Sequence, residues 1–217
     1  MKLSKYVKLV KGGSYCLVAH VGNSGIWLGT RSAIYRATEL PDMEGEDQVR
    51  TVLDIPEKAW VKICMEEEYY AGTHDVCGMD LREFVDGEQN TKRIKMKAIY
   101  KDTYATGLIC DDGELIFYDE AMSAPLIERF KNSSYISLVA RKTMSGRRYI
   151  VVKDGFEVLA AFMTLEVLSG EFMESLDDFQ AQCMVQFMKE RKRRGFGSEE
   201  DGEEADQIGM EENQNDQ

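Results

Sequence analysis

Histidine is scarce in this chain, with His20 and His74 the only two among 217 residues. That leaves most histidine-dependent catalysis, and zinc sites built from several imidazoles, with little to work with. No glycine-rich phosphate loop of the Walker or dinucleotide type is present, and no Gly-x-Ser-x-Gly nucleophile turn. The five cysteines (Cys16, Cys64, Cys77, Cys110, Cys183) are odd in number and widely scattered. They make a poor disulfide framework, so reduced thiols and a cytoplasmic location are expected. Residues 1–10 reach no apolar run before Lys8 and Lys11, which argues against a signal peptide. The longest uncharged stretch, Gly12 to Thr30, contains five glycines with His20, Asn23 and Ser24. It is hairpin composition, too polar for a bilayer, and no membrane partner is expected.

Net positive charge is also lacking, because the chain carries −12. The imbalance is concentrated at the end, where Ser198 to Gln217 holds nine acidic residues and no basic one. Just before it, Lys189, Arg191, Lys192, Arg193 and Arg194 form a basic run. A mildly acidic body argues against broad coating of nucleic acid, while leaving room for a local basic face.

What is present is a 43% hydrophobic chain with 19 phenylalanines and tyrosines, enough to build one core. Tyr6–Val10, Tyr15–Val21 and Gly25–Gly29 read as strands in a meander of hairpins, separated by Gly12-Gly13 and Gly22-Asn23-Ser24. Glu46–Leu53 reads as a short helix ended before Pro56, and Trp60–Met65 as a strand. Residues 70–90 form a surface excursion with a helical piece at Leu81–Val85. Arg93–Tyr100, Tyr104–Cys110 and Glu114–Tyr118 follow as strands, then a helix at Ala121–Phe130 with Pro125 in its first turn and Asp119 or Ser123 as cap. Tyr135–Lys142, Arg148–Lys153 and Phe156–Met163 are strands joined by Ser145-Gly146 and Asp154-Gly155, the latter the strongest hairpin signal here. From Leu165 the apolar period lengthens, with Leu168, Phe172, Leu176, Phe179, Cys183 and Phe187 forming the stripe of an amphipathic helix that Gly170 divides.

The expected fold is therefore α+β, an antiparallel strand-rich core of hairpins and meanders with a few short helices and a C-terminal amphipathic helix. Residues 1–165 make the core, with two similar halves, 1–70 and 91–165, as a further expectation. Residues 166–194 make the terminal helix and 195–217 a disordered acidic tail.

Four groups of residues are chemical candidates. His74, Asp75 and Cys77 combine ligand types that zinc prefers, at a single His-x-x-Cys spacing. Cys16 and His20 share a strand face but stand roughly 13 Å apart, too far for a dyad. Arg93, Lys95, Lys97 and Lys101 alternate onto one strand face, and Arg141, Arg147 and Arg148 bracket a hairpin that could join them in a phosphate-contacting patch, with Tyr135 or Tyr149 for stacking. Lys189, Arg191, Lys192, Arg193 and Arg194 exceed what a helix dipole requires and mark an interaction segment next to the acidic tail. The favoured function is a non-enzymatic binding module for a protein or nucleic-acid partner, with no cofactor; the small, acidic, methionine-rich character suits an accessory protein of a phage or mobile element. The alternatives are a metal-dependent enzyme using His74, Asp75 and Cys77, and a nucleic-acid-associated protein using the basic strand face.

Overall fold

The computed structural model describes residues 1–167 and 170–193. The chain divides into two units, Met1–Val167 and Leu168–Gln217. The first unit is a ten-stranded sheet with short helices, and the only described element of the second is one long helix. The fold is α+β, and its pairings are antiparallel with one exception among the described residues.

The first element corrects the expected strand at Tyr6–Val10. Leu3–Gly13 is a helix, α1. Tyr6 and Val10, four apart, are its buried residues, and Lys5, Lys8 and Lys11 recur at three-residue steps on the wet side. Ser14 ends it in the left-handed conformation, at φ 50°. β1 (Tyr15–Val21), β2 (Gly25–Gly29) and β3 (Ala33–Arg36) then form the expected meander, extended by one strand. α2 (Gly45–Val52) lies where the short helix was expected. Pro56 at φ −59° opens a further turn, α3 (Glu57–Trp60), so Trp60 is helical and the following strand, β4, starts only at Cys64 and runs to Tyr70. β4 lies parallel to β1, and this is the exception to the antiparallel rule.

β5 (Gln89–Tyr100), β6 (Thr103–Cys110) and β7 (Leu115–Asp119) form the second meander. Pro125 falls in a 3-10 turn, Glu120–Leu126, capped by Asp119, whose side chain accepts the Ala121 N–H. α4 (Ile127–Asn132) follows, then β8 (Ile136–Lys142), β9 (Arg148–Asp154) and β10 (Glu157–Met163). Gly146 (φ 82°) and Gly155 (φ 60°) supply the positive φ that their hairpin turns need. The strand order is β4-β1-β2-β3-β10-β9-β8-β5-β6-β7. Leu165, the last residue of the expected core, donates its N–H to the Phe117 carbonyl at 2.7 Å and bridges back to β7. The hairpins β1–β2 and β6–β7 are the counterparts in the expected halves; they diverge directly after, into a strand in the first case and a 3-10 turn in the second.

Both faces of the central strands are buried. On one, Tyr6, Val10, Val49, Trp60 and Leu126 cover Cys16, Val18, Leu28, Tyr35 and Phe162. Tyr6 packs edge-on to Tyr35 with ring centroids 5.8 Å apart, and its phenol donates to the Gly29 carbonyl at 2.8 Å. Gly29 is required there because a Cβ would lie 2.9 Å from Leu17 Cβ. On the other face, Leu17, Ala19, Trp27, Val139, Tyr149 and Val151 form a second cluster. Burial on both sides explains why β1, β9 and β10 read as nearly continuous apolar runs.

In the second unit, α5 (Gly170–Arg193) carries the expected amphipathic stretch, with Phe179 and Phe187 exposed. Residues 194–217, including Arg194 and the acidic tail, lie outside the described residues. No described helix is long and apolar enough to cross a membrane.

Candidate interaction site

The second face is covered by an irregular segment, residues 71–88, which joins β4 to β5 and acts as a strap. The helical piece expected at Leu81–Val85 does not form. Val76 and Met79 exchange backbone hydrogen bonds (2.8 and 3.0 Å) across a tight turn in which Cys77 and Gly78 both take positive φ. That turn presses Val76, Met79 and Leu81 onto the second apolar cluster. Three apolar contacts are a modest cover for a face this wide, and the remainder of the attachment is polar.

The polar attachment is made by residues expected on the surface. Arg141 is only 2% exposed. Its Nη1 donates to the Asp80 carbonyl at 2.6 Å, and its Nε and Nη2 donate to Glu88 Oε2 at 2.9 and 2.6 Å. Lys153, also buried, donates to the other Glu88 oxygen at 2.6 Å. Tyr149 donates to the Asp80 carbonyl (3.0 Å) and accepts the Asp80 N–H (2.9 Å). Arg82 grips the Asp80 carboxylate through Nε and Nη2. Burial opposes the charge on Glu88, but hydrogen bonds from Lys153 and Arg141 outweigh it and hold its carboxyl below the usual range. Asp80 is likewise lowered, its burial overcome by Arg82 and, at longer range, Arg141.

Arg148 is equally internal, paired with Asp112 and Glu114. Arg141, Arg148 and Tyr149 therefore face protein groups, while Tyr135 is exposed. Of the remaining strand-face candidates, Lys97 pairs with Glu120 at 2.7 Å and Arg93 lies 3.9 Å from the same carboxylate. Lys95 and Arg147 are exposed, and Lys101 stacks over the Tyr100 ring at 5.1 Å. His74, Asp75 and Cys77 sit on the strap, with the Cys77 thiol 3.3 Å from the Tyr70 hydroxyl and pushed up chiefly by burial. Among the described residues no group of three or more His, Cys, Asp or Glu side chains is arranged to hold a metal. Lys189, Arg191 and Arg193 lie exposed in the last turns of α5.

Where the strap meets the β9–β10 turn it leaves a cleft of about 270 Å³. Trp27, Leu81 and Val158 are its buried residues, and Thr73, Arg36, Arg82 and Phe156 are among the others that line it. Arg36 Nη1 pairs with Glu157 at 3.3 Å, while its buried Nε has no hydrogen-bond partner among the described residues. Beside the cleft, Phe84 of the strap and Phe156 of the turn meet with ring centroids 5.7 Å apart, yet stand 64% and 70% exposed. The Lys153 ammonium lies 5.5 Å from the Phe84 ring. Tyr135, 75% exposed, joins the same turn through its carbonyl, which accepts the Gly155 N–H. None of Arg36, Arg82, Phe84 or Phe156 was a candidate from the sequence: Phe84 and Phe156 are 72 positions apart in the chain, and no local period joins them.

Comparison with protein-family models, with curated proteins and with solved structures finds no match.

Proposed function

We propose that the chain is a non-enzymatic binding module that holds a protein partner on the aromatic rim formed by Phe84 and Phe156 beside the Arg36–Arg82 cleft. The observation that carries this reading is the pair of adjacent phenylalanines left facing solvent on a segment fastened by buried ion pairs. Leaving two large aromatics in water forfeits about 1.5–3 kcal/mol each relative to full burial, and a firmly anchored backbone removes much of the ordering cost that a partner would otherwise meet. Aromatic and arginine side chains around a concave site are the usual composition of an interface centre. Glu83 and Glu157 line the cleft, and with Asp80 and Glu88 they balance the charge of Arg36, Arg82, Arg141 and Lys153, so no excess positive charge is left to attract a phosphate backbone.

The test is the double substitution Phe84→Ala/Phe156→Ala. Because both rings are exposed, the melting temperature should hold, with a stability change within about 0.5 kcal/mol. Proteins crosslinked to the intact chain in its native cells should include at least one whose recovery falls tenfold or more with the double variant, the loss of about 1.4 kcal/mol or more. Identical sets of crosslinked proteins from both forms would refute the rim as the binding surface.

A further inference from the structure

Of the two outer strands of the sheet, β4 and β7, β4 has no further strand beside it among the described residues. β4 ends the strand order, with β1 on its inner side. The Cys64 N–H donates to the Ser14 carbonyl at 3.0 Å, and the register pairs Tyr15 with Cys64, Leu17 with Glu66 and Ala19 with Glu68. In a parallel ladder every second residue bonds to the neighbour through both its N–H and its C=O. On β4 those are the even-numbered residues, so Met65, Glu67 and Tyr69 turn their backbone groups outward. The result is three donors and three acceptors in a row, repeating about every 6.6 Å along the strand. An open edge of this kind is a template for another strand.

The side chains of the same strand set the chemistry of what can add to it. Glu66, Glu67 and Glu68 are consecutive, and their hydrogen bonds come from neutral donors or an imidazole. Glu66 Oε2 accepts from Tyr15 Oη at 2.5 Å and Glu68 from Tyr70, while Glu67 binds His20 Nε2 at 2.9 Å and accepts from Tyr69 Oη and the Gly45 N–H, both at 3.1 Å. No lysine or arginine forms an ion pair with any of the three among the described residues, and His20 is the basic side chain that reaches Glu67. Arg31 stacks over the Tyr15 ring at 5.3 Å and makes no such pair. A second copy of β4 is a poor occupant, because glutamates would then face glutamates across the new ladder.

We propose that the outer edge of β4 is a docking site for an extended, lysine- or arginine-rich segment of a partner protein, added as a further strand with its basic side chains against Glu66 and Glu68 on one face of the sheet or Glu67 on the other. This surface uses none of the residues of the aromatic rim, so each reading can fail without the other. The backbone ladder would supply affinity and the carboxylates selectivity, with a marked dependence on salt.

Amide hydrogen exchange on the full chain tests it, with a blocked seven-residue peptide of alternating lysine and valine as the probe. In the free protein the Met65, Glu67 and Tyr69 amides should exchange quickly and those of Glu66, Glu68 and Tyr70 slowly. Saturating peptide should slow the first three at least tenfold and leave the others unchanged, and a glutamate–valine peptide should do nothing. Glu66→Gln/Glu68→Gln should weaken the lysine peptide by roughly three- to tenfold, two exposed ion pairs' worth. Three outcomes would each overturn the proposal: odd-numbered amides already protected without peptide, peptide bound with those amides unaffected, or no binding at millimolar peptide.

Discussion

The two faces of one sheet are covered in different ways. On the helical face, α1, α2 and α3 lay Tyr6, Val10, Val49 and Trp60 onto β1, β2 and β3, and the attachment is almost wholly apolar. On the strap face, three apolar side chains, Val76, Met79 and Leu81, share the work with Arg141, Tyr149, Lys153 and Glu88. A helix satisfies its own backbone and needs only an apolar stripe to be held. An irregular segment has backbone groups to satisfy, and the sheet meets that need at Asp80 and Glu83, whose carbonyls accept from Arg141. Apolar cover makes a face stable; ionic cover makes it specific in position, which is what a segment presenting Phe84 at a fixed place requires.

The comparison predicts different failures. Tyr6→Ala should produce the largest loss, about 3–5 kcal/mol as for other buried aromatics, because it removes the Tyr35 packing and the hydrogen bond to Gly29 together. The loss should be global, seen as a lower melting temperature and faster exchange of sheet amides on both faces. Glu88→Ala should cost about 3 kcal/mol, since it leaves Arg141 and Lys153 buried without a counter-charge. Its effect should be local: the Val76 and Leu81 amides, bonded to Met79 and Thr73, should exchange faster while β1 and β2 amides keep their rates. If sheet and strap amides accelerate together in Glu88→Ala, the strap is an inseparable part of the core.

The same contrast decides what could be read from the sequence. The hairpins of β8, β9 and β10 were legible because Gly146 and Gly155 stand between apolar runs and strand burial shows as composition. α1 was missed because Tyr6–Val10 alone suits either period; the lysines at 5, 8 and 11 settle it only when the whole of Leu3–Gly13 is weighed. β4 was misplaced because three glutamates favour a helix locally, and its partner β1 lies 49 positions earlier in register. Arg141 and Lys153 carried a usable signal. They alternate in step with Val139 and with Tyr149 and Val151, side chains that belong inside, so period two alone marks them as inward cations needing carboxylates. Which carboxylates, and that they lie on the strap, is a long-range fact: Glu88 is 53 positions from Arg141.

The smallest effect separates the faces by pH. Glu88 and Asp80 both sit below their ordinary carboxylate values in the folded chain, because hydrogen bonds from cationic side chains outweigh the burial that opposes their charge. A carboxylate depressed by folding adds stability above its unfolded value, and that stability is lost as pH falls through the folded one. Acid should therefore loosen the strap. On the helical side Asp119 is shifted the opposite way, raised first by burial and then by Glu120 despite the Ala121 N–H it accepts; its protonation relieves rather than breaks the fold, so that side should hold. As pH falls below the ordinary carboxylate values, methyl resonances of Val76, Met79 and Leu81 should shift and broaden before those of Val10 and Val49. The change should be milder than in Glu88→Ala, because a protonated carboxyl keeps its volume and can still accept a hydrogen bond from Arg141. Glu88→Gln, which keeps the shape but cannot titrate, should show a strap already loosened at neutral pH and a flatter response to acid. Strap and helical-face methyls moving in concert through this range would show that the ionic attachment gives the strap no acid response of its own.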